Sequence, residues 1–364
     1  MNRLPDAERL ARLRLARTDG VGPVAFRQLL TRHGSAVEAL AAERRDWAEA
    51  GVAEAEVRAA EAVGARHVFP GEADYPPLLA ELADPPPVLL IAGDAALAAR
   101  PLVAMVGARN ASAAGRALAF EMAQALGAAG WVVASGLARG IDAEAHRGAL
   151  ATGTIGCVAG GVDIAYPPEN AGLQDGIAQA GLLLSELPPG TEPQARHFPR
   201  RNRLIAGVAR GLIVIEAAQG SGSLITARLA AEAGREVMAV PGHPKDPRSA
   251  GGNNLIRQGG HLVETAEDVL AALSPFAVVE RTVARPAALK RPELSRREAA
   301  VRAAVVPAEA PSGLLELLSV SGVALDEVVR ASGQTAAAVQ AALADLEIEG
   351  QVVRLAGGRV ARVA

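Results

Sequence analysis

A glycine-rich segment, SGLARGIDAEAHRGAL at residues 135–150, carries an acid and a histidine one helical turn apart. Asp142 and His146 would share one helix face at positions i and i+4, as a catalytic dyad or a pair of metal ligands would. A dyad needs a nucleophile or a metal beside it, and no further histidine or cysteine stands at metal-ligand spacing. The residues therefore favour an Asp–His pair that fixes the start of the helix, without catalysis and without a metal.

Three glycine-bearing turns each follow a predicted buried strand and precede a predicted helix. They contain, in chain order, Gly107 and Arg109, then Arg139 and Gly140, then Gly222 and Ser223. Free N–H groups and the helix dipole at such a turn attract an anion. The first turn lacks the GxGxxG pattern of NAD-binding proteins, and the third lacks the Gly-Lys-Ser/Thr of nucleotide hydrolases. The turns predict an anion pocket that needs no cofactor.

A basic segment, RHFPRRNRLIAG at residues 196–207, holds four arginines within its first eight residues. A run of charge is usually a solvated face, but Phe198 among the arginines suits base stacking beside phosphate neutralisation. Tyr166 is the one other Phe, Tyr or Trp residue between Trp131 and Phe276, so Phe198 and Tyr166 are the two candidates for base stacking in this part of the chain. The segment therefore predicts contact with single-stranded nucleic acid.

Composition bounds the class of protein. Of 364 residues, 50% are hydrophobic and 21% are charged, the net charge is −3, and Cys157 is the single cysteine. This excludes general disorder and an internal disulfide. No stretch of 18 uncharged apolar residues occurs, and the first residues lack the apolar core of a signal peptide. We expect a soluble, cytoplasmic protein that does not enter a membrane.

The pattern along the chain predicts four regions. Residues 1–70 form short helices around a Gly-Val-Gly-Pro turn at 20–23, as in helix-hairpin-helix and SAM-like domains. Residues 71–273 contain apolar runs that alternate with helical segments, which indicates a doubly wound parallel sheet. Residues 274–310 are a linker, and residues 311–364 a winged helix. The predicted strands are Leu102–Val106, Trp131–Ala134, Thr154–Val158, Leu182–Ser185, Leu212–Ile215 and Val237–Val240.

The predicted winged helix has helices over 324–331 and 335–349 and a hairpin, the wing, over 351–363. A helix that reads DNA normally carries basic side chains. The second helix has no lysine or arginine, whereas the wing carries Arg354, Arg359 and Arg362. We therefore expect this domain to contact protein, or DNA only weakly through its wing.

Five segments, in this order, resemble the DprA (Smf) family of DNA-processing proteins. They are VGARNASAAG (106–115), SGLARGIDAEAHRGAL (135–150), HFPRRNRLIAG (197–207), EAAQGSGSLITA (216–227), and AVPG (239–242) with GGNNLIRQG (251–259). The resemblance implies an α/β fold with an extended Rossmann domain, an N-terminal SAM-like domain and a C-terminal winged helix.

The resemblance also implies a function, which is non-catalytic binding of single-stranded DNA (ssDNA) and loading of RecA on incoming ssDNA in natural transformation. It further implies a homodimer formed through the Rossmann domain. In the family, the positions of Arg109, Phe198, Arg201 and Arg203 contact DNA. With the turns and the basic segment, the expected ssDNA site comprises Gly107, Arg109, Arg139, Gly140, Arg196, Phe198, Arg201, Asn202, Arg203, Gly222 and Ser223. No catalytic residue, metal or cofactor is expected.

Two departures from the family pattern bear on this site. Relatives often carry a lysine shortly before the phenylalanine, where this chain has Ala195 and Arg196, and Arg196 is a candidate substitute. Some relatives carry a basic residue just before the third turn, where this chain has Ala218-Gln219-Gly220. The sequence offers no substitute for the basic residue that is missing before the third turn.

An enzymatic alternative stays open at this point. The second turn is also similar to the glycine-rich turn of LOG-type nucleotide phosphoribohydrolases, which share a related core. Those enzymes carry a PGGxGT motif at the later turn with a nearby glutamate, whereas this chain has GSGSLIT and no acid within the turn. Glu144 is the residue that a hydrolase would be expected to use.

Overall fold

The computed structural model describes residues 3–43, 46–277, 323–332, 352–355 and 359–362, together with positions 339, 343 and 346. The chain divides into two compact units, Met1–Arg285 and Pro286–Ala364. The described residues contain no helix with the length and apolar character needed to cross a membrane.

Within residues 46–277, nine strands form one sheet in the order β1-β2-β6-β5-β4-β3-β7-β8-β9. The strands from β3 to β9 run parallel, whereas β2 pairs antiparallel with β6 and β1 antiparallel with β2. The strand bounds are β1 Arg66–Val68, β2 Leu89–Gly93, β3 Leu102–Val106, β4 Val132–Ser135, β5 Thr154–Cys157, β6 Leu182–Ser185, β7 Gly211–Val214, β8 Glu236–Ala239 and β9 His261–Leu262.

The described helices of this unit lie before the sheet and on its two faces. Their bounds are α1 Asp6–Arg17, α2 Pro23–His33, α3 Ala36–Ala42, α4 Ala50–Ala62, α5 Pro77–Ala80, α6 Ala113–Ala128, α7 Ile141–Ala149, α8 Ala171–Ala180, α9 His197–Val208, α10 Gly222–Glu232, α11 Ala250–Arg257 and α12 Ala266–Ala277. Side chains of α5, α9, α10 and α11 join the core on one face, and those of α6, α7, α8 and α12 join the core on the other. Because both faces are covered, the strands are apolar without alternation.

The chain order reverses at β3. From β3 the chain proceeds through β4, β5 and β6 on one side, and then crosses to β7, β8 and β9 on the other. Ligands of open parallel sheets bind beyond the carboxyl ends of the strands at such a switch point. The position between β3 and β7 is therefore where this fold offers a binding site.

The predicted α/β fold with a doubly wound parallel sheet is confirmed, and the six predicted strands match β3–β8 to within one residue at each end. The sequence prediction missed β1, β2 and β9. Two of these have only three and two residues, too few for an apolar pattern. The third, β2, directly follows Pro85–Pro87, which obscures the start of a buried strand.

The second unit contains part of the predicted winged helix. The helix α13 spans Leu325–Ser332, and the strands β10 Val323–Ala324, β11 Val352–Leu355 and β12 Arg359–Arg362 pair antiparallel in the order β10-β12-β11. The β11–β12 pair is the predicted wing. Most of the predicted second helix and nearly all of the 274–310 linker lie outside the described residues.

A buried ion pair joins the N-terminal helices to the edge of the sheet. Glu56 of α4 accepts hydrogen bonds from Arg17 of α1, with Nε–Oε2 at 2.9 Å and Nη2–Oε1 at 2.8 Å. Its Oε1 also lies 2.9 Å from Nε2 of His67 in β1. One carboxylate therefore joins α1 to α4 and β1, which follow it in the chain by more than 30 residues.

This arrangement predicts a loss of stability in acid. Burial by itself raises the pKa of Glu56, but the hydrogen bonds from His67 and Arg17 outweigh it, and the pKa falls from 4.5 to about 2. The stabilisation is complete above the unfolded pKa and disappears as the pH falls through the folded pKa. Between pH 5 and 2, wild type should lose about 3 kcal/mol more unfolding free energy than Glu56→Gln.

Thermal denaturation followed by circular dichroism across this pH range measures the difference. Glu54→Gln is the matched control, because Glu54 lies on the same helix with an exposed side chain. Parallel pH profiles for wild type and Glu56→Gln would contradict the prediction.

Candidate functional site

The three predicted turns meet at the carboxyl edge of the sheet. A Cβ on Gly107 would lie 2.4 Å from Cγ1 of Ile141, and a Cβ on Gly140, where φ is +74°, would lie 2.3 Å from the carbonyl oxygen of Ala108. Ser223 Oγ donates to the carbonyl oxygen of Gly107 at 2.9 Å. Gly107 and Gly140 thus serve close packing between the first and second turns, and Ser223 ties the third turn to the first.

The carboxylate of Glu216 occupies the N-terminus of α6, the helix that follows the first turn. Ser112 caps α6 as predicted, because its Oγ accepts from the N–H of Gly115 at 2.9 Å. The Glu216 carboxylate accepts from the backbone N–H of Ser112 at 2.9 Å and from its hydroxyl at 2.5 Å. An external phosphate therefore has no place at the start of α6.

The start of α10 is different. Its first turn contains no acidic residue, and its N-cap residue, Ser221, makes no side-chain capping bond. The Ser221 hydroxyl oxygen is buried without a hydrogen-bond partner. Gly222, which begins the helix, is exposed. With its free N–H groups and positive dipole end, this helix start is suited to an external anion.

A buried ion pair lies beneath the site. Arg201 of α9 and Asp142 of α7 each have side chains only 7% exposed, and Nη1 of Arg201 lies 3.8 Å from Oδ2 of Asp142. Burial raises the pKa of Asp142, and Arg201 together with the N–H groups of Ala138 and Gly136 opposes that rise. Gly136 makes room for the guanidinium, since a Cβ there would lie 1.2 Å from Nη1 of Arg201.

The predicted pairing of Asp142 with His146 is wrong. Both side chains are buried, but Nδ1 of His146 bonds to Oγ1 of Thr154 at 2.7 Å, while Asp142 faces Arg201. Burial, with a smaller effect of Arg201, lowers the pKa of His146 to about 3, so the ring is neutral. Thr154 Oγ1 donates in turn to the carbonyl oxygen of Val133 at 2.7 Å. His146 therefore holds α7 against β4 and β5.

Cys157 ends the buried strand β5 and is fully enclosed. Burial raises the pKa of its thiol to about 12, which suppresses the thiolate needed by a nucleophile. Within the part of the chain that the structure describes, no group of three or more His, Cys, Asp or Glu side chains is arranged to hold a metal ion.

Two adjoining cavities open above the ion pair. The first, here called the Tyr166 cavity, has a volume of about 400 Å³; its walls include Arg109, Arg139, Tyr166, Pro193, Phe198 and Arg201. The second, the α10 cavity, has a volume of about 630 Å³; its walls include Gly107, Arg109, Phe198, Arg201, Asn202, Ser221, Gly222, Ser223 and Arg248. Because Arg109, Phe198 and Arg201 line both, the two cavities adjoin, and together they are here called the groove.

Phe198 stands at the junction of the two cavities. Its ring centroid lies 5.7 Å from that of Tyr166, with the planes tilted by 58°. The Cζ atoms of Arg109 and Arg201 lie 5.6 Å and 5.8 Å from the Phe198 centroid, within cation–π range. Tyr166 remains 48% exposed. This cluster combines aromatic faces with positive charge.

The remaining predicted site residues lie outside the junction. Arg139 is exposed at the rim of the Tyr166 cavity and pairs with Glu169. Arg196 is exposed at the start of α9 and lines neither cavity. Arg203 also lines neither, because the helical period turns it to the opposite side of α9. There it pairs with Asp84 at 2.5 Å and with Glu186 at 3.4 Å.

Three residues of the site were not predicted as site residues. Tyr166 was named as a candidate for base stacking because aromatic residues are scarce, but it was not included among the expected ssDNA-binding residues. Gly136 was seen as part of a turn, whereas its role is to admit the Arg201 side chain. Arg248 lies on the loop after β8 and had no signal, because no spacing in the sequence relates it to the other groups.

Comparison with protein families matches most of the chain. Residues 66–274 match the family described as DNA recombination-mediator protein A. Residues 6–65 match a DprA-like N-terminal HHH domain, and residues 285–358 match a DprA winged helix domain.

Individual relatives agree with this match. The DNA processing protein DprA of Bacillus subtilis is 45% identical over 202 residues, which cover 55% of this chain and 68% of the relative. That of Streptococcus pneumoniae is 46% identical over 199 residues, which cover 54% and 70%.

Two solved structures are similar. The X-ray structure of DNA processing protein A from Streptococcus pneumoniae has a TM-score of 0.64 at 33% identity, covering 72% of this chain and 97% of that one. DNA processing protein A from Helicobacter pylori, described with a single-stranded DNA binding mode, has a TM-score of 0.53 at 29% identity. That match covers 58% of this chain and 96% of the other.

The contact between Gly136 and Arg201 predicts a specific coupling. Gly136→Ala should lower the free energy of unfolding by about 1–3 kcal/mol, because the new Cβ displaces the buried guanidinium. In an Arg201→Ala background the same substitution should cost much less, since the overlapping atoms are gone.

Urea denaturation of the four proteins in this cycle measures the coupling. Gly222→Ala is the control, because a Cβ at that position meets no atom within 4 Å. An equal cost of Gly136→Ala in both backgrounds would contradict the assignment.

Proposed function

Because the chain belongs to the DprA (Smf) family of DNA-processing recombination mediators, we propose that it binds ssDNA in the groove formed by the Tyr166 and α10 cavities. The observation that carries the proposal is the position of Phe198 at the junction of those cavities, with two guanidinium groups within cation–π range of its ring. Sequence-independent ssDNA binding combines aromatic faces for the bases with positive charge for the backbone. This junction has both.

The two cavities suit different parts of a nucleotide strand. In the Tyr166 cavity, a base can stack on Phe198 and Tyr166, whose rings are tilted against each other. In the α10 cavity, a phosphate can meet the open start of α10 and the guanidinium of Arg109. Arg201 is buried and paired with Asp142, so its role in this proposal is to support the Phe198 ring.

The outer arginines have secondary roles in this proposal. Arg139 and Arg196 are exposed and can meet the backbone of a strand entering or leaving the groove. Arg203 holds α9 through Asp84 and Glu186, so it acts on binding by positioning Phe198 and Arg201. Gly107 and Gly140 bring the turns close enough to form the groove.

The groove supports binding without catalysis. Asp142 faces Arg201 in a buried ion pair, His146 is neutral, and Cys157 is protonated at neutral pH, so none of these groups is a ready base or nucleophile. Glu144, which a phosphoribohydrolase would be expected to use, pairs with Arg147 at 2.6 Å and lines neither cavity. These placements argue against nucleotide hydrolysis.

Two partners follow from the family and complete the proposal. The match to a recombination mediator supports loading of RecA on the bound ssDNA during natural transformation. A homodimer formed through the Rossmann domain, which the family resemblance implies, is the second part of the proposal. The 274–310 linker would then join this domain to the winged helix, with protein rather than DNA as that module's main contact.

The stacking role predicts the effect of truncating the aromatic rings. Phe198→Ala should weaken ssDNA binding about 10-fold or more, since stacking contributes ~1–3 kcal/mol per base. Tyr166→Ala should also lower the affinity for ssDNA. The salt dependence should stay unchanged, because no charge is lost.

Fluorescence anisotropy with labelled ssDNA and duplex across a salt series measures both effects. Phe120→Ala serves as control, because that ring is 37% exposed on α6 and lines neither cavity. Wild-type affinity in Phe198→Ala, or equal affinity for duplex and single strand, would refute the proposed site.

Removal of residues 310–364 tests the role assigned to the winged helix. Affinity for ssDNA should stay within a few-fold of the full chain, because the groove lies in the other unit. A weak contact between the wing and one phosphate would add no more than that. A loss of a hundredfold in the same anisotropy assay would mean that the winged helix itself binds the strand.

A further inference from the structure

The loop between β8 and α11 brings a basic side chain to the α10 cavity. Arg248 lines that cavity together with Ala218, Ser221 and Gly222. These last three residues belong to the third turn, the one that lacks the basic residue carried there by some relatives. The cationic group in this wall therefore comes from a segment well separated from the turn in the chain.

Hydrogen bonds hold this loop against the third turn. The N–H of Ala217 donates to the carbonyl oxygen of Arg248 at 2.7 Å, and the N–H of Gly251 donates to the carbonyl oxygen of Ala217 at 2.8 Å. The side chain of Asn253 closes the other end of the loop, bonding both the N–H and the carbonyl oxygen of Gly242 at 3.1 and 2.8 Å. The position of Arg248 is thus set by backbone contacts with the start of α10.

One carboxylate orients the guanidinium. Asp246 accepts from Nε of Arg248 at 3.1 Å and from its Nη2 at 2.8 Å, and it also accepts from the backbone N–H of Arg248 at 2.9 Å. This bidentate pair uses the Nε–Nη2 edge of the guanidinium. The two N–H groups of Nη1 remain to donate to a ligand. The Arg248 side chain is 42% exposed, so a ligand in the cavity can reach it.

The surroundings favour an anion at this point. The first turn of α10 has no acidic residue, and the Ser221 hydroxyl is buried without a partner in the same wall. Arg201, more than nine-tenths buried, lies on another wall of the cavity with its Nε unpartnered. The dipole and the free N–H groups at the start of α10 therefore favour an anion in the space that Arg248 borders.

We propose that Arg248, held by Asp246, contacts a phosphate of the ssDNA backbone at the start of α10 and replaces the basic residue missing from the third turn. The inference rests on the proposed function, since it names an additional contact in the same groove. Asp246 is a positioning residue, because it touches Arg248 and not the strand.

The test compares Arg248→Ala with wild type by anisotropy on labelled ssDNA over a salt series. Loss of one phosphate contact should lower the magnitude of the slope of log affinity against log salt by about 0.7. At 0.15 M salt this corresponds to about a fourfold loss of affinity. Arg248→Lys should keep the wild-type slope, because it retains a positive charge.

Two further variants sharpen the comparison. Arg257→Ala removes an exposed arginine from α11 that lines neither cavity, and it should bind as wild type does. Gln219→Arg, added to Arg248→Ala, should restore the slope of log affinity against log salt, because it places a positively charged side chain in the third turn. Thermal melting of each variant shows whether it folds. Should Arg248→Ala unfold, Arg248→Gln removes the same charge while keeping a polar side chain, and it should show the same loss of slope.

The outcomes separate this inference from the function on which it rests. An Arg248→Ala slope equal to that of Arg257→Ala, while Phe198→Ala still weakens binding, overturns the role of Arg248 alone. If Phe198→Ala also binds as wild type does, the groove itself is not the ssDNA site and both proposals fall.

Discussion

The buried ion pair between Arg201 and Asp142 is the interaction around which the groove is organised. Removing two charges from water costs several kcal/mol, and only close partners in a well-ordered setting offset that cost. The pair links α9 on one face of the sheet to the start of α7 on the other. Gly136 must be a glycine to admit the guanidinium. Once Arg201 is in place, Phe198 lies over it and separates the two cavities.

The glycines and the helix starts at this edge of the sheet have different roles. Gly107 and Gly140 allow two turns to touch, so their lack of a side chain serves packing. Of the helix starts at this edge, α6 is capped by Ser112 and the Glu216 carboxylate, while α10 has no acidic residue in its first turn. A strand-to-helix turn therefore becomes a place for an external anion only where the chain does not supply its own.

The residues of the basic segment face different sides of α9. In α9, Phe198, Arg201 and Asn202 face the cavities at a spacing of three or four residues, whereas Arg203 lies on another face. That face meets Asp84 and Glu186, and the Glu186 carbonyl also accepts from Arg17 at 3.3 Å. Arginines close in sequence thus serve two functions: Arg201 lines the groove, whereas Arg203 pairs with Asp84 and Glu186 on another face of α9.

Much of this protein could be predicted from its sequence, because its signals are local. Buried strands show as apolar runs, helix starts show as turn residues, and an aromatic residue among arginines is conspicuous in a chain with few rings. These predicted the sheet and the family resemblance, and they singled out Phe198 as a candidate site residue. Short edge strands such as β9 carry too few residues for a pattern, so they were missed.

The tertiary structure decided which residues share the site. His146 turns to Thr154 and not to Asp142, Arg203 leaves the groove, and Arg248 enters it from a distant loop. Such contacts depend on how separate elements pack, and the cost of burying a charge or a polar group selects among partners that the sequence leaves equivalent. The sequence by itself determined the elements and their chemistry; the packing of α7, α9 and α10 on the sheet decided which charges are neutralised within the protein and which remain for a ligand.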